Sequence, residues 1–222
     1  MTCRLACDHM DRRPIQLPHL YAIIDAGCFA GSNDRTKALV DYALELATAG
    51  VTLMQYRAKE LSSREILSHV RELRRALGER VRLVMNDRAD LCLAAGFDGV
   101  HVGQDDLAPV DVRHVVGDKA IVGYSTHNPQ QVLEADAMPV DYIAVGPVFA
   151  TSSKANPDPV IGLKGVRTAR QLTAKPLVAI GGITRTNCRE VIDAGADSIA
   201  VISDLFQDGR TAAEEYLRLL AR

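Results

Sequence analysis

The sequence contains no apolar run that approaches the roughly 18 residues needed to cross a bilayer. Its first eighteen residues include Arg4, Arg12 and Arg13 but no apolar stretch, which argues against a secretory signal. An excess of one charge is also missing, because 26 Lys and Arg residues face 28 Asp and Glu residues. With a net charge of −2, we expect neither nucleic acid nor a membrane as a partner.

Cysteine is scarce and does not form the pattern of a disulfide framework. The five cysteines are odd in number and scattered: Cys3, Cys7, Cys28, Cys92 and Cys188. Such scatter is typical of a reducing compartment, so we expect a cytoplasmic location. Cys3, Cys7 and His9 could form half of a metal site, but we interpret residues 1–19 as a flexible tail.

From residue 20 onward the chain repeats a short apolar strand, a polar loop and an amphipathic helix. The predicted strands are rich in Val and Ile, as expected for parallel strands covered by helices. They lie at 20–25, 52–57, 82–86, 99–102, 121–125, 142–146, 176–180 and 198–202. We therefore predict an α/β fold, a (β/α)8 TIM barrel that forms a single catalytic domain over residues 20–222. An open doubly wound sheet fits the same alternation but usually has fewer strands.

A short internal repeat supports the prediction of eight strand–helix units. Residues 95–100 and 194–199 share the pattern Ala-Gly-x-Asp followed by the start of a strand, and Ala49 with Gly50 begins a shorter copy. Glycine at this position supplies the left-handed residue that ends a helix. The repeat therefore predicts the same helix-to-strand transition at three places.

Polar residues follow the second predicted strand, where a barrel of this kind carries its chemistry. Alternation along the strand places Gln55, Arg57 and Lys59 on one side, so that an amide and two cations meet at the barrel mouth. A solvated charged loop is the alternative interpretation.

Carboxylates follow the next two strands. Asp87, preceded by Asn86, and Asp106 lie on adjacent loops, where carboxylates can share one hard cation. Both could instead cap the next helix, a frequent role of aspartate. We predict that Asp87 and Asp106 bind Mg²⁺ and that Asp105 is the capping residue.

The fifth strand and the longest loop add further candidates. Ser125 is placed to bind a ligand, His127 is interpreted as a supporting group, and His101 as a hydrogen-bonded core residue. The loop over residues 147–159 is long enough to act as a lid. Its hydroxyls and cation are Thr151, Ser152, Ser153 and Lys154.

The last two strands end in a different kind of sequence. Gly181 and Gly182 follow the seventh strand, and Ile202 and Ser203 end the eighth. Loops at these positions often bind phosphate through backbone N–H groups and a helix N-terminus. Cations and carboxylates beside such a phosphate site suit a diphosphate leaving group. The residues alone therefore indicate a metal-assisted transferase or lyase that handles phosphate.

Seven segments, in this order, resemble the thiamine phosphate synthase family. They are Gln55-Tyr56-Arg57-Ala58-Lys59, Asn86-Asp87-Arg88, His101-Val102-Gly103-Gln104-Asp105-Asp106, Gly123-Tyr124-Ser125-Thr126-His127, Gly146 through Lys154, Ile180-Gly181-Gly182-Ile183 and Val201-Ile202-Ser203. The resemblance extends from about Leu20 to the C-terminus. It implies a Mg²⁺-dependent transferase of thiamine biosynthesis, which condenses hydroxymethylpyrimidine diphosphate with hydroxyethylthiazole phosphate to give thiamine phosphate and diphosphate.

The resemblance also implies a role for individual residues. The pyrimidine diphosphate would be held by Gln55, Tyr56, Arg57, Ala58, Lys59, Asn86, Ser125 and Lys154. Among these, Arg57, Lys59 and Lys154 would face the diphosphate and act in catalysis. The thiazole phosphate would be held by Thr151, Ser152, Ser153, Gly182, Ile202 and Ser203. Asp87 and Asp106 would bind Mg²⁺.

The implied mechanism is dissociative. Diphosphate leaves first, and the thiazole nitrogen attacks the resulting pyrimidine carbocation without a general base. Asp204 departs from the expected pattern, because it places a negative charge beside a phosphate site; we expect it to cap the last helix and to face away. The alternatives are a thiazole tautomerase of the same fold and a non-catalytic barrel that binds a phosphorylated metabolite. A homo-oligomer is left open.

Overall fold

The computed structural model describes residues 15–151 and 158–221, and strands alternate with helices throughout these residues. The strands are β1 (Leu20–Asp25), β2 (Leu53–Arg57), β3 (Arg82–Asn86), β4 (Gly99–Val102), β5 (Ile121–Thr126), β6 (Tyr142–Val145), β7 (Leu177–Ile180) and β8 (Ser198–Val201). The helices are α1 (Arg35–Ala49), α2 (Ser63–Leu77), α3 (Ala89–Ala95), α4 (Pro109–Val116), α5 (Pro129–Asp136), α6 (Gly162–Leu172), α7 (Cys188–Asp193) and α8 (Ser203–Leu220). Short 3-10 helices follow β1 at Ala26–Phe29 and α2 at Gly78–Arg80.

The strands form a closed parallel barrel, which confirms the predicted fold. Each strand pairs with the next along the chain, and β8 pairs with β1 through the register Tyr21↔Ala200. The observed strand bounds differ from the predicted ones by at most one residue at either end. Because all strands run in one direction, their C-terminal ends surround a single mouth.

Two apolar cores stabilise the barrel, one between the strands and the surrounding helices and one inside the barrel. The inner core includes Tyr21, Leu53, Val84 and Val178. Leu17 is buried against this inner core, and Ile15 packs against it. Residues 15–19, predicted from the sequence to be part of a tail, therefore include side chains that close the N-terminal end of the barrel, while residues 1–14 lie outside the described residues.

At the N-terminal end of the barrel, one ion-pair arrangement occurs before β4, β6 and β8. The residue before each of these strands is an aspartate, whose Oδ2 accepts hydrogen bonds from a backbone N–H at the start of the preceding strand and from an arginine on a helix. The three sets are Asp98 with Leu83 N (2.6 Å) and Arg74 (2.5 Å), Asp141 with Val122 N (2.7 Å) and Arg113 (2.7 Å), and Asp197 with Leu177 N (2.8 Å) and Arg170 (2.8 Å). Each aspartate thus ties a helix to two neighbouring strands.

The central pair of this set is the most deeply buried. The Arg113 side chain is 5% exposed and that of Asp141 is 13% exposed, against 28% for Arg170 and 50% for Asp197. Arg113 also donates to the carbonyl oxygens of Gly117, Ala120 and Pro139. A buried cation needs such partners, because without them its transfer from water is strongly unfavourable.

We therefore expect the two equivalent aspartates to differ in their effect on stability. Asp141→Ala leaves the buried Arg113 without its counter-ion and should lower the free energy of unfolding by about 3–5 kcal/mol. Asp197→Ala also removes an acceptor for a backbone N–H, but it breaks a more exposed pair and should cost about 1–2 kcal/mol. Urea denaturation of both variants measures the difference, and equal losses would contradict the argument from burial.

Candidate active site

A cavity of about 520 Å³ opens at the C-terminal ends of the strands. Most of the residues predicted for the site line it: Gln55, Arg57, Lys59, Asn86, Asp87, Asp106, Ser125, Thr151, Gly182, Ile202 and Ser203. Ser152, Ser153 and Lys154 lie outside the described residues. The structure therefore brings together side chains from loops that are far apart in the sequence.

Tyr56 and Ala58 were also predicted for the site, but neither lines the cavity. Alternation along β2 turns Tyr56 outward, where it is 1% exposed and its hydroxyl lies 2.7 Å from Nδ1 of His69 on α2. Ala58 packs against the same outer core. Their side chains support β2 from outside and do not face the cavity.

Arg57 is held by an acidic residue that the sequence analysis did not identify. Its guanidinium pairs with the carboxylate of Asp25, which lies opposite Arg57 in the register of β1 and β2. Asp25 also accepts a hydrogen bond from Gly27 N at 2.9 Å and so caps the following 3-10 helix. Both ends of the ion pair are largely buried, so Arg57 is oriented before any ligand arrives. The sequence contained a signal for this role of Asp25, because an aspartate is the last residue of an otherwise apolar strand.

The predicted metal ligands face each other beside a lysine. Asp87 Oδ2 accepts a hydrogen bond from Lys59 Nζ at 2.6 Å, and Asp106 Oδ2 accepts one from Gly103 N at 2.7 Å. Burial raises the pKa of Asp87, and the neighbouring Asp106 carboxylate raises it further, while Lys59 acts in the opposite direction. Asp87 also has a positive φ of 64°, a conformation that is uncommon outside glycine, although aspartate adopts it more readily than most residues. The two carboxylates are therefore held close together on a left-handed stretch of backbone, and a bound cation would relieve their repulsion.

These residues fit a magnesium ion. Mg²⁺ typically uses one or two carboxylates and takes its other ligands from water and phosphate oxygens. Asp87 and Asp106 supply two, and no group of three or more His, Cys, Asp or Glu suited to a metal occurs in the described part of the chain. Beside them, the buried Nδ2 of Asn86 has no hydrogen-bond partner within residues 15–151 and 158–221, so a donor is available for a ligand.

At the floor of the cavity, polar side chains form a continuous chain through the barrel interior. It consists of Gln55, Tyr21, Tyr142, His101 and Ser125, and each hydrogen bond within it is between 2.8 and 3.1 Å long. Burial lowers the pKa of His101 to about 4, so its imidazole is neutral at pH 7. His101 is hydrogen-bonded on both nitrogens, as expected for a core residue, but it also lines the cavity.

The other side of the mouth has the features of a phosphate site. Gly181 and Gly182 have φ values of 101° and 62°, and a Cβ at Gly182 would collide with the carbonyl oxygen of Ala150. Only glycine therefore fits between the two loops. Ser203 is the first residue of α8, so backbone N–H groups without helical partners lie at this rim.

Asp204 and Asp105 do not cap helices. The N-cap positions of α8 and α4 are Ile202 and Ala108, and neither helix has a side-chain cap. Asp204 does not line the cavity, and it accepts hydrogen bonds from Arg185 N and Nε at 3.2 Å and from the Tyr216 hydroxyl at 2.8 Å. Its charge is thus neutralised behind the phosphate site, and it links the loop after β7 to α8.

Comparison with known proteins places this geometry in one family. A family model described as thiamine monophosphate synthase matches residues 20–205. The thiamine-phosphate synthase of Koribacter versatilis is 62% identical over 206 residues, covering 93% of this chain and 97% of the relative. That of Chloroflexus aurantiacus is 43% identical over 205 residues, covering 90% and 91%. A solved structure of thiamine phosphate pyrophosphorylase from Pyrococcus furiosus has a TM-score of 0.78 at 32% identity and covers 90% of this chain and 94% of its own.

The strain at Asp87 leads to a prediction about the free protein. Asp87→Asn removes the repulsion from Asp106 and keeps a side chain that tolerates positive φ. It also removes the ion pair with Lys59, whose side chain is half exposed, so that loss is small. In buffer without divalent cations, we expect the melting temperature to rise by about 2–4 °C, which corresponds to about 1 kcal/mol for a chain of this size. Differential scanning calorimetry measures it, with Asp105→Asn as the control that should change nothing. A lower melting temperature for Asp87→Asn would contradict the proposed strain.

Proposed function

The chain belongs to the thiamine monophosphate synthase family, and we infer that it is a transferase that condenses hydroxymethylpyrimidine diphosphate with hydroxyethylthiazole phosphate. The products are thiamine phosphate and diphosphate. The observation that supports this best is the division of the mouth into two unlike halves. Arg57, Lys59 and two carboxylates lie on one side, and a glycine loop with a helix N-terminus lies on the other.

This division matches the two substrates. A diphosphate carries several negative charges, which a cation cluster with Mg²⁺ neutralises as the group leaves. A phosphate monoester needs fewer charges and binds well to backbone N–H groups at a helix N-terminus. The first half would therefore hold the pyrimidine diphosphate and the second half the thiazole phosphate.

Asp87 and Asp106 would hold Mg²⁺, which supplies charge neutralisation for the leaving diphosphate. The residues of the chain itself do the rest. Arg57, oriented by Asp25, donates to the diphosphate oxygens, and Lys59 exchanges part of its contact with Asp87 for the same oxygens. Lys154, outside the described residues, is proposed as a further cation for the leaving group.

The proposed reaction needs no general base. The thiazole nitrogen has a lone pair, so it can attack the carbocation left on the pyrimidine once the C–O bond is broken. The two histidines at the cavity are engaged otherwise, because His101 is hydrogen-bonded on both nitrogens and His127 Nδ1 lies 2.8 Å from Gly146 O. Such a site accelerates the reaction through positioning and electrostatic stabilisation.

The environment of the protein is proposed on similar grounds. The partners are two small molecules, and no nucleic acid is proposed, because the net charge of −2 offers no basic field. None of the helices in the described ranges combines the length and apolar character required to span a bilayer. Cys28 is an exposed free thiol, which suits the reducing cytoplasm that we propose as its compartment.

A single assay separates this function from its alternatives. The purified protein is incubated with both substrates and Mg²⁺, and thiamine phosphate and diphosphate are measured by chromatography. A thiazole tautomerase would convert a thiazole carboxylate phosphate and release no diphosphate. A non-catalytic barrel would bind the phosphorylated ligands without turnover. Either result would reject the proposed function.

The metal site generates a prediction of its own. Asp87→Ala and Asp106→Ala should each lower the rate by at least about a hundredfold, because the leaving group loses its main charge neutralisation. Asp111→Ala, in the first turn of α4 and outside the cavity, is the control and should retain most of the activity. Normal turnover by both test variants in the presence of a chelator would rule out the metal site.

The phosphate half can be tested without disturbing the fold. Gly182 is unsuitable, because any side chain there would collide with the protein itself. Ser203→Glu instead places a negative charge in the first turn of α8, where it favours the helix and repels a phosphate. We expect the KM for the thiazole phosphate to rise at least about tenfold, equivalent to about 1.4 kcal/mol, with an unchanged KM for the pyrimidine diphosphate. Equal changes in both KM values would show that the halves are misassigned.

A further inference from the structure

We propose that the chain of hydrogen bonds inside the barrel runs in one direction and presents the hydroxyl hydrogen of Ser125 to the pyrimidine diphosphate. Tyr21, Tyr142 and His101 are then positioning residues, which act on the substrate through Ser125. The inference rests on the proposed function only for the identity of the ligand, since the direction of the chain follows from the protein's own atoms.

The first half of the chain begins at Gln55. Its amide Nε2, which can only donate, lies 2.9 Å from the Tyr21 hydroxyl oxygen, so that oxygen is the acceptor. The hydroxyl oxygens of Tyr21 and Tyr142 lie 3.1 Å apart, and either could donate by distance alone. Tyr21 is 1% exposed, and within the described residues Tyr142 is the other partner of its hydroxyl. If Tyr142 donated, the Tyr21 hydrogen would be buried without an acceptor, so Tyr21 donates to Tyr142.

The second half of the chain follows from this choice. The Tyr142 hydroxyl, having accepted from Tyr21, donates to His101 Nδ1 at 2.9 Å. A neutral imidazole that accepts at Nδ1 carries its hydrogen on Nε2, so His101 is the Nε2–H tautomer. His101 Nε2 lies 2.8 Å from Ser125 Oγ and donates to it. The Ser125 hydroxyl oxygen therefore accepts a hydrogen bond from His101, and its own hydrogen can be donated to a ligand atom in the cavity.

The surrounding residues are arranged to hold this chain in place. The Tyr142 ring stacks on His101 with centroids 5.5 Å apart and an interplanar angle of 18°. On the neighbouring strand, Gly123 lies opposite Tyr142 in the register, and a Cβ at Gly123 would overlap the tyrosine ring. Gln104 Nε2 donates to the Ser125 carbonyl oxygen at 2.6 Å and so fixes the backbone at the upper end.

Both ends of the chain reach the cavity, which is why it bears on the substrate. Gln55 on β2 and Ser125 on β5 both line the mouth. A fixed donor at Ser125 selects a ligand atom with a lone pair, such as a pyrimidine ring nitrogen or a diphosphate oxygen. A donor prepared in advance binds more tightly, because its orientation costs nothing when the ligand arrives.

The direction of the chain can be measured on the unmodified protein. Long-range ¹H–¹⁵N correlation spectra of ¹⁵N-histidine-labelled protein distinguish the two neutral tautomers, and a spectrum of His101→Gln identifies the signal of His101 among the six histidines. We expect the Nε2–H tautomer at pH 7.5, a value chosen about one unit above the ordinary histidine pKa. Observation of the Nδ1–H tautomer would overturn the proposal, whether or not the protein proves to be a synthase.

Kinetics test the effect on the substrate. Tyr142→Phe leaves His101 without its donor and Tyr21 without its acceptor, so we expect the KM for the pyrimidine diphosphate to rise about fivefold to fiftyfold, as for the loss of one or two buried hydrogen bonds. The KM for the thiazole phosphate should stay unchanged. Tyr124→Phe is the matched control, because Tyr124 lies on β5 beside Ser125 but in the outer core.

Negative results of the activity assay and of the Tyr142→Phe kinetics would reject different hypotheses. If the wild-type protein formed no thiamine phosphate, the proposed function would be rejected while the tautomer would still test the chain. If Tyr142→Phe, shown by circular dichroism to be folded, changed neither KM, the positioning role would be rejected although the synthase activity remained. Should Tyr142→Phe not fold, Tyr21→Phe replaces it, with the same rise in the KM for the pyrimidine diphosphate expected and an unchanged value again rejecting the role.

Discussion

Closure of a parallel sheet is the constraint on which the rest of this structure depends. Because β8 pairs with β1, no strand edge is left open, and all strands end around the same mouth. Side chains from loops as distant in sequence as Lys59 and Ser203 become neighbours of one cavity for this reason alone. At the other end, Leu17 packs inside the barrel and three aspartates join helices to strands. The barrel thus separates the residues that stabilise it from those that carry its chemistry.

The mouth itself is not optimised for stability. Two carboxylates approach each other at Asp87 and Asp106, the backbone of Asp87 adopts a left-handed conformation, and Asn86 has a buried donor without a partner in the described residues. Each of these features is unfavourable in the free protein, and a bound cation would offset the repulsion between the two carboxylates. Their coincidence in one place is stronger support for a ligand site than any one of them, since strain persists where the surrounding fold enforces it.

Sequence reasoning found the repeating elements because each of them has a local signal. The glycines that end α1 and α3, Gly50 and Gly96, are signals that depend on residues a few positions apart. The Asp25–Arg57 pair and the chain through Tyr21 and Tyr142 depend instead on register, and the two tyrosines are 121 residues apart. Register could not be read from the sequence, so these contacts were missed. Strand alternation could have shown that the Tyr56 side chain does not face the cavity. Tyr56 lies between Gln55 and Arg57 on β2, so its side chain points to the opposite face of the strand.

The aspartates before β4, β6 and β8 have a further consequence for protein engineering. They lie at the end of the barrel remote from the cavity, and each joins one pair of strands to one helix. A designer who wished to give this scaffold a new substrate could therefore replace the loops at the mouth and retain these three residues with their arginines. The three aspartates should therefore be secured before any loop is replaced, because new loops will be tolerated only while the N-terminal end of the barrel keeps the strands in register.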